Sequence, residues 1–133
     1  MKSEHVEKVE VGNCNYEVKI SGYGKQSIIL LSGYGVELDS WDHIVPELGK
    51  HGIVFSYNRL GVGKSDRAKV VQNGRVIVEN LRKLLKIKNV DPPYIVLGHS
   101  LGGLYANLWA RLYPAELCGV AFIEATHPDH EKK

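Results

Sequence analysis

Tyr94-Ile95-Val96-Leu97-Gly98-His99-Ser100-Leu101-Gly102-Gly103 is an apolar run that meets Gly-x-Ser-x-Gly and passes at once into an amphipathic segment. Strand, sharp turn, helix is the order a nucleophile elbow requires, with a serine at the tip of a strained turn and its hydroxyl projecting. Gly98 and Gly102 stand where any side chain would collide as strand and helix pass each other. Leu101, Leu104, Tyr105, Leu108 and Leu112 then recur at helical spacing, which predicts a helix with those residues on its inner face. The pentapeptide alone also suits an ordinary tight βα turn. The strand before it and the helix after it favour the elbow.

Three more short apolar runs resemble the one that leads into the elbow: Ser27–Leu31, Ile53–Tyr57 and Gly119–Ile123. All four are nearly continuous, as parallel strands covered on both faces should be. Between them, Trp41, Ile44, Val45 and Leu48 mark one helix, with Ser40 or Asp39 placed to cap it. Ile77, Leu81, Leu84 and Leu85 mark a second, closed by Asp91-Pro92-Pro93. Upstream, Val6–Val11 and Tyr16–Ile20 read as strands joined at Gly12-Asn13, a hairpin signal. The expected fold is therefore α/β. It has a mostly parallel sheet of about six strands, flanking helices and an antiparallel N-terminal hairpin, within a single domain over residues 1–133.

Composition narrows the function classes. The chain is 44% hydrophobic and 24% charged, the balance of a soluble globular protein. A net charge of +2 is too small to argue for nucleic acid or an anionic membrane surface. Two cysteines, Cys14 and Cys118, make no disulfide framework, and Cys118 lies in an apolar run as a small core residue would. Met1–Val11 lacks the apolar centre of a signal peptide, and no apolar stretch approaches membrane-spanning length. The expected location is cytoplasmic.

Serine chemistry needs a base to take the hydroxyl proton and donors for the developing oxyanion. The Leu101 N–H, next to Ser100, is one natural donor. Ser32-Gly33-Tyr34-Gly35 comes after an earlier strand and places the Tyr34 N–H as a second, although it also reads as a plain glycine-containing βα loop. A rival lies at Asn58-Arg59-Leu60-Gly61-Val62-Gly63-Lys64-Ser65, which nearly spells a phosphate-binding P-loop. Asn58 stands where that motif asks for glycine, no apolar helical face begins after Ser65, and the elbow is left unexplained.

Four segments, in order, resemble the α/β-hydrolase superfamily. They are Leu30-Leu31-Ser32-Gly33-Tyr34-Gly35 with Ser40-Trp41 and Pro46-Glu47-Leu48, Tyr57–Asp66, Gly98–Gly103, and Phe122-Ile123-Glu124-Ala125-Thr126-His127-Pro128. The resemblance runs from about Val6 to His130. It implies acyl hydrolysis of a small ester-like substrate, with Ser100 as nucleophile, Tyr34 and Leu101 as oxyanion donors, and no metal or organic cofactor. Ser32 replaces the family's usual histidine, and Asn58 its frequent aspartate. The resemblance also implies two further strands, a cap region and a histidine-bearing loop after Lys133, so the expected core is C-terminally incomplete. Within the chain, Glu124 is the candidate acid, since some family members carry theirs at this strand. His127, on the loop one or two strand spacings (about 5–10 Å) from the elbow, is the base, or else part of a loop-shaping His127-Pro128 pair. His99 reads as structural. The chain is thus expected to be a weak esterase, a non-catalytic binding or interaction module on the same scaffold, or a piece of a longer enzyme. A bare apolar edge at Gly119–Ile123 would pair with a second copy or a complementing chain.

Overall fold

Gly12 and Asn13 both adopt positive φ, 60° and 67°, as the two central residues of a type I′ turn must. They join strand β1 (Glu4–Val11) to strand β2 (Cys14–Gly22) as the predicted antiparallel hairpin. The structure is a computed structural model and describes residues 4–123. Strands β3 (Gln26–Leu31), β4 (Gly52–Tyr57), β5 (Tyr94–His99) and β6 (Leu117–Ile123) complete one six-stranded sheet of order β1-β2-β4-β3-β5-β6. β2 pairs antiparallel with β4, while β3, β4, β5 and β6 run parallel.

The unbroken apolar runs are explained by two separate cores. Ile29, Leu31, Phe55, Tyr57 and Val96 face helices α2 (Gly74–Ile87) and α3 (Leu101–Leu112). Their sequence neighbours Ile28, Leu30 and Val54 point the other way, onto Trp41 and Val45. Because side chains alternate across a strand, a sheet covered on both faces has no polar positions to spare.

The first predicted helix is broken in two. A 3₁₀ turn spans Leu38–Trp41, and a single α-turn, α1, spans Val45–Leu48. Pro46 has no N–H to give the Asp42 carbonyl, so one continuous helix is interrupted there. Asp39 and Ser40 consequently sit inside the 3₁₀ turn and cap nothing. In α2 the Asn73 Oδ1 accepts from the Val76 N–H at 2.9 Å as an N-cap. Its end is set at Asn89, with φ 59°. The Val90 N–H reaches the Leu85 carbonyl and the Asn89 N–H reaches that of Lys86, a Schellman closure that comes before the prolines.

Two other expectations are corrected. The buried face of α3 is Gly102, Gly103, Ala106 and Trp109, whereas Leu104 is 66% exposed. Leu101, Tyr105, Leu108 and Leu112 are only half-buried. Cys118 is exposed, because β6 is an edge strand.

α2 and α3 are pinned together by a polar cluster. The Arg82 Nη2 meets Glu116 Oε2 at 2.6 Å and its Nη1 meets Glu79 Oε1 at 3.0 Å, while Trp109 Nε1 donates to Glu116 Oε1 at 2.9 Å. The hydrogen bonds from Arg82 hold the Glu116 carboxyl below the usual carboxylate range against the opposing effect of burial. A depressed carboxylate adds stability above its unfolded pKa of about 4.3 and loses it as pH falls through the lower folded value. Glu116→Gln should therefore cost about 2 kcal/mol at pH 7, and less near pH 3, below the unfolded pKa, where proton binding by the unfolded chain has already removed part of that stability. Urea melts of both proteins at the two pH values check this, and an unchanged difference between them would contradict it.

Candidate active site

Neighbouring parallel strands bring two loops side by side. Leu31, the last residue of β3, pairs with Gly98 on β5, so both strands deliver their next residues to the same edge of the sheet. The chain leaves β3 toward Trp41 and Val45 on one face, and leaves β5 toward α3 on the other. Such a reversal opens a crevice outside the carboxyl ends of the strands, where open α/β sheets bind ligands.

Ser100 sits at this crevice with φ 56° and ψ −118°, a conformation costly for any residue but glycine. The surroundings impose it. A Cβ on Gly98 would stand 2.6 Å from Gly103 Cα, and one on Gly102 would collide with the Leu31 carbonyl oxygen. Strand and helix are packed backbone to backbone, leaving the serine to take the strain. Its side chain is exposed, and its hydroxyl makes no hydrogen bond with a described residue.

The Ser32–Gly35 loop lies directly on this elbow. A Cβ at Gly33 would come within 3.4 Å of Ser100 Cβ and 3.0 Å of His99 Nδ1, so the His99 ring flanks the loop. Tyr34 is 85% exposed. Leu101 opens α3, and as a first helical residue it has an N–H that no carbonyl of the helix accepts. Tyr34 and Leu101 both line a cleft of about 390 Å³, whose other walls include Leu60, Val62, Ile77 and Tyr105. A second cleft of about 460 Å³, lined by Asp91, Tyr94 and Glu116, lies where β5 begins, at the opposite end of that strand from Ser100.

Residues that depart from the expected motifs have structural partners. Ser32 Oγ accepts from Trp41 Nε1 at 2.8 Å, fixing the loop to the 3₁₀ turn. Asn58 Oδ1 accepts from the Leu38 N–H at 2.6 Å, and its Nδ2 donates to Glu17 Oε1 at 2.7 Å. Ser65 Oγ donates to the Asn58 carbonyl at 2.6 Å and accepts from the Glu17 N–H at 2.8 Å. Asp66 exchanges two hydrogen bonds with the Asn15 backbone. The Asn58–Asp66 segment is thus stitched to β2, and no helix begins until Gly74. A P-loop needs a helix opening at its Lys-Ser and a free hydroxyl there, so the nucleotide-binding reading fails on both.

One residue escaped attention in the sequence. Arg59 Nη2 donates to the Ser32 carbonyl at 2.6 Å and to the Gly33 carbonyl at 2.9 Å, and its Cζ stands 5.0 Å from the Tyr105 ring centre. The only signal was its place between strand and glycines in Tyr57–Asp66. The structure brings Ser100, Leu101 and Tyr34 together. β6 carries the chain to Ile123, paired with His99, and Glu124 and His127 lie outside the described residues.

Comparison with known proteins agrees with this architecture. The sequence profile of the alpha/beta hydrolase fold matches residues 26–133. The uncharacterized protein YqjL of Bacillus subtilis (strain 168) is 28% identical over 126 residues, which is 93% of this chain and 50% of that protein. A pimeloyl-[acyl-carrier protein] methyl ester esterase of Klebsiella pneumoniae (strain 342) is 30% identical over 93 residues, 70% of this chain and 34% of that enzyme. The crystal structure of Cfl2 from Burkholderia cenocepacia superposes with a TM-score of 0.84 at 21% identity, covering 94% of this chain and 44% of that one. The chain spans half or less of the length of these proteins. On the profile match and the shared sheet, it belongs to the α/β-hydrolase fold family.

Proposed function

We propose that the chain carries out ester-type acyl hydrolysis on a small molecule through a covalent intermediate on Ser100. The observation that carries this reading is the strained backbone of Ser100, which sets an exposed serine side chain at the mouth of the crevice. In this mechanism Ser100 Oγ attacks the ester carbonyl while a base, His127 oriented by Glu124, takes the hydroxyl proton. The oxyanion rests between the N–H groups of Tyr34 and Leu101. The alcohol departs with that proton, and water then releases the acid and regenerates the serine. Similarity to a methyl ester esterase supports the ester class, and the Leu60, Val62 and Ile77 walls of the cleft suit an acyl chain. The chemistry as proposed uses no cofactor. Hydrolysis of p-nitrophenyl acetate and butyrate by wild type, Ser100→Ala and His127→Ala tests the assignment. Loss of turnover in both variants supports it, while unaltered turnover in His127→Ala would place the base elsewhere.

A second reading, a binding module on the same scaffold, is favoured by the absence of any hydrogen bond between the Ser100 hydroxyl and a described residue. For partners we propose self-association through β6. It occupies one edge of the sheet, with Phe122 60% exposed, and an apolar edge is a template for another strand. Sedimentation at increasing concentration should show dimers, and a monomer at all concentrations would contradict this. Among the described residues no helix is long and apolar enough to cross a membrane.

A further inference from the structure

We infer that Arg59 is a positioning residue that holds the two oxyanion donors in register. The inference rests on the proposed acyl-transfer reading for its catalytic consequence, but not for its geometry. The two donors lie on different elements: Tyr34 on the loop after β3, and Leu101 at the start of α3. Arg59 touches both elements. A single guanidinium nitrogen, Nη2, bonds the Ser32 and Gly33 carbonyls at 2.6 and 2.9 Å. The same group lies 5.0 Å from the ring centre of Tyr105, one helical turn beyond Leu101 and on the same side of the helix.

Peptide geometry makes the first contact directional. In a trans peptide the carbonyl of one residue and the N–H of the next point in opposite directions. Turning the Gly33 carbonyl toward Arg59 therefore turns the Tyr34 N–H away from it. The other anchor on that carbonyl is the Val36 N–H at 3.2 Å, a longer bond, and the Trp41 bond to Ser32 Oγ ties down the loop one residue earlier, leaving Arg59 as the stronger hold on the Gly33 carbonyl. At Gly33 a Cβ would stand 3.4 Å from Ser100 Cβ, whereas at Gly35, with φ 68°, it would meet nothing within 4 Å, so the Tyr34–Gly35 side of the loop has room to shift once the guanidinium is gone. A charged donor on a half-buried carbonyl is the stronger kind of hydrogen bond, and the cation over the Tyr105 ring adds to it.

The test compares wild type, Arg59→Met and Arg59→Lys. Lysine keeps the charge and supplies a donor without the planar fork. Amide resonances of Gly33, Tyr34 and Gly35 report the loop independently of turnover. In Arg59→Met they should broaden through μs–ms exchange, while resonances of α2 and β1 stay in place and show that the fold survives. For p-nitrophenyl butyrate, kcat should drop about 10²-fold, the effect of losing one oxyanion donor, with KM changed less than about twofold. Arg59→Lys should recover part of both signals. Sharp, unshifted loop resonances in Arg59→Met would overturn the inference whatever the kinetics. So would a change confined to KM. If the loop loosens as expected but wild type shows no Ser100-dependent hydrolysis, the positioning stands and the hydrolase reading falls.

Discussion

Ser100→Ala is expected to bring ester hydrolysis down to the buffer rate without weakening the fold. The side chain is exposed and bonds to no described residue, so deleting Oγ breaks no described interaction. Alanine bears the same positive-φ strain as serine, which leaves that cost unchanged. Stability should stay within about 0.5 kcal/mol of wild type. Activity should not survive, because the hydroxyl is the only group proposed to form the acyl intermediate. Removing the nucleophile of a serine protease costs about 10⁶-fold in kcat. Matched melting curves with p-nitrophenyl ester assays on the same preparations separate the two effects. Hydrolysis that persists in a folded Ser100→Ala variant would move the chemistry away from the elbow.

Gly102→Ala should produce the largest loss of stability of any single methyl addition in the chain. The added carbon would collide with the Leu31 carbonyl oxygen and lie 2.8 Å from that of Ser32. Both obstacles are backbone of β3 and the loop after it, so no side chain is available to swing aside. Relief requires α3 to move off the sheet, and that draws Ala106 and Trp109, both fully buried, out of the main core. We expect a cost of about 3 kcal/mol or more. Gly35→Ala serves as the comparison: a Cβ there meets nothing within 4 Å, and only its φ of 68° is unfavourable. It should cost about 1 kcal/mol. Urea unfolding of the two variants decides the point, and equal losses would mean that close approach does not govern the elbow.

Much of the fold was legible because each parallel strand is apolar on both faces, a pattern that survives in one dimension. The elbow was legible for a related reason. Its steric demands at Gly98 and Gly102 are local and fall within a five-residue pattern. The inner face of α3 was misread because close approach excludes large side chains there. The buried stripe is Gly102, Gly103 and Ala106, with Trp109 filling the space below, and a search for recurring leucines finds the flank instead. Gly102, Gly103 and Ala106 at three- and four-residue spacing were the available signal. The apolar run around Cys118 reads as core, but that pattern does not show that its strand lies at the sheet edge. The P-loop likeness failed because Ser65 and Asn58 each bond to Glu17 on β2, 48 and 41 residues away, which no local pattern reveals. Arg59 was hidden for the same reason, since its partners Ser32 and Gly33 lie 27 and 26 residues away.

If Ser100 is an activated nucleophile, covalent capture will reveal it without reference to any natural substrate. Wild-type protein treated with a fluorophosphonate should gain the mass of one adduct, located by peptide sequencing on Ser100 and absent from Ser100→Ala. An unlabelled wild-type protein, or an adduct at the same yield in Ser100→Ala, would refute the assignment and leave the elbow as scaffold geometry without nucleophilic chemistry.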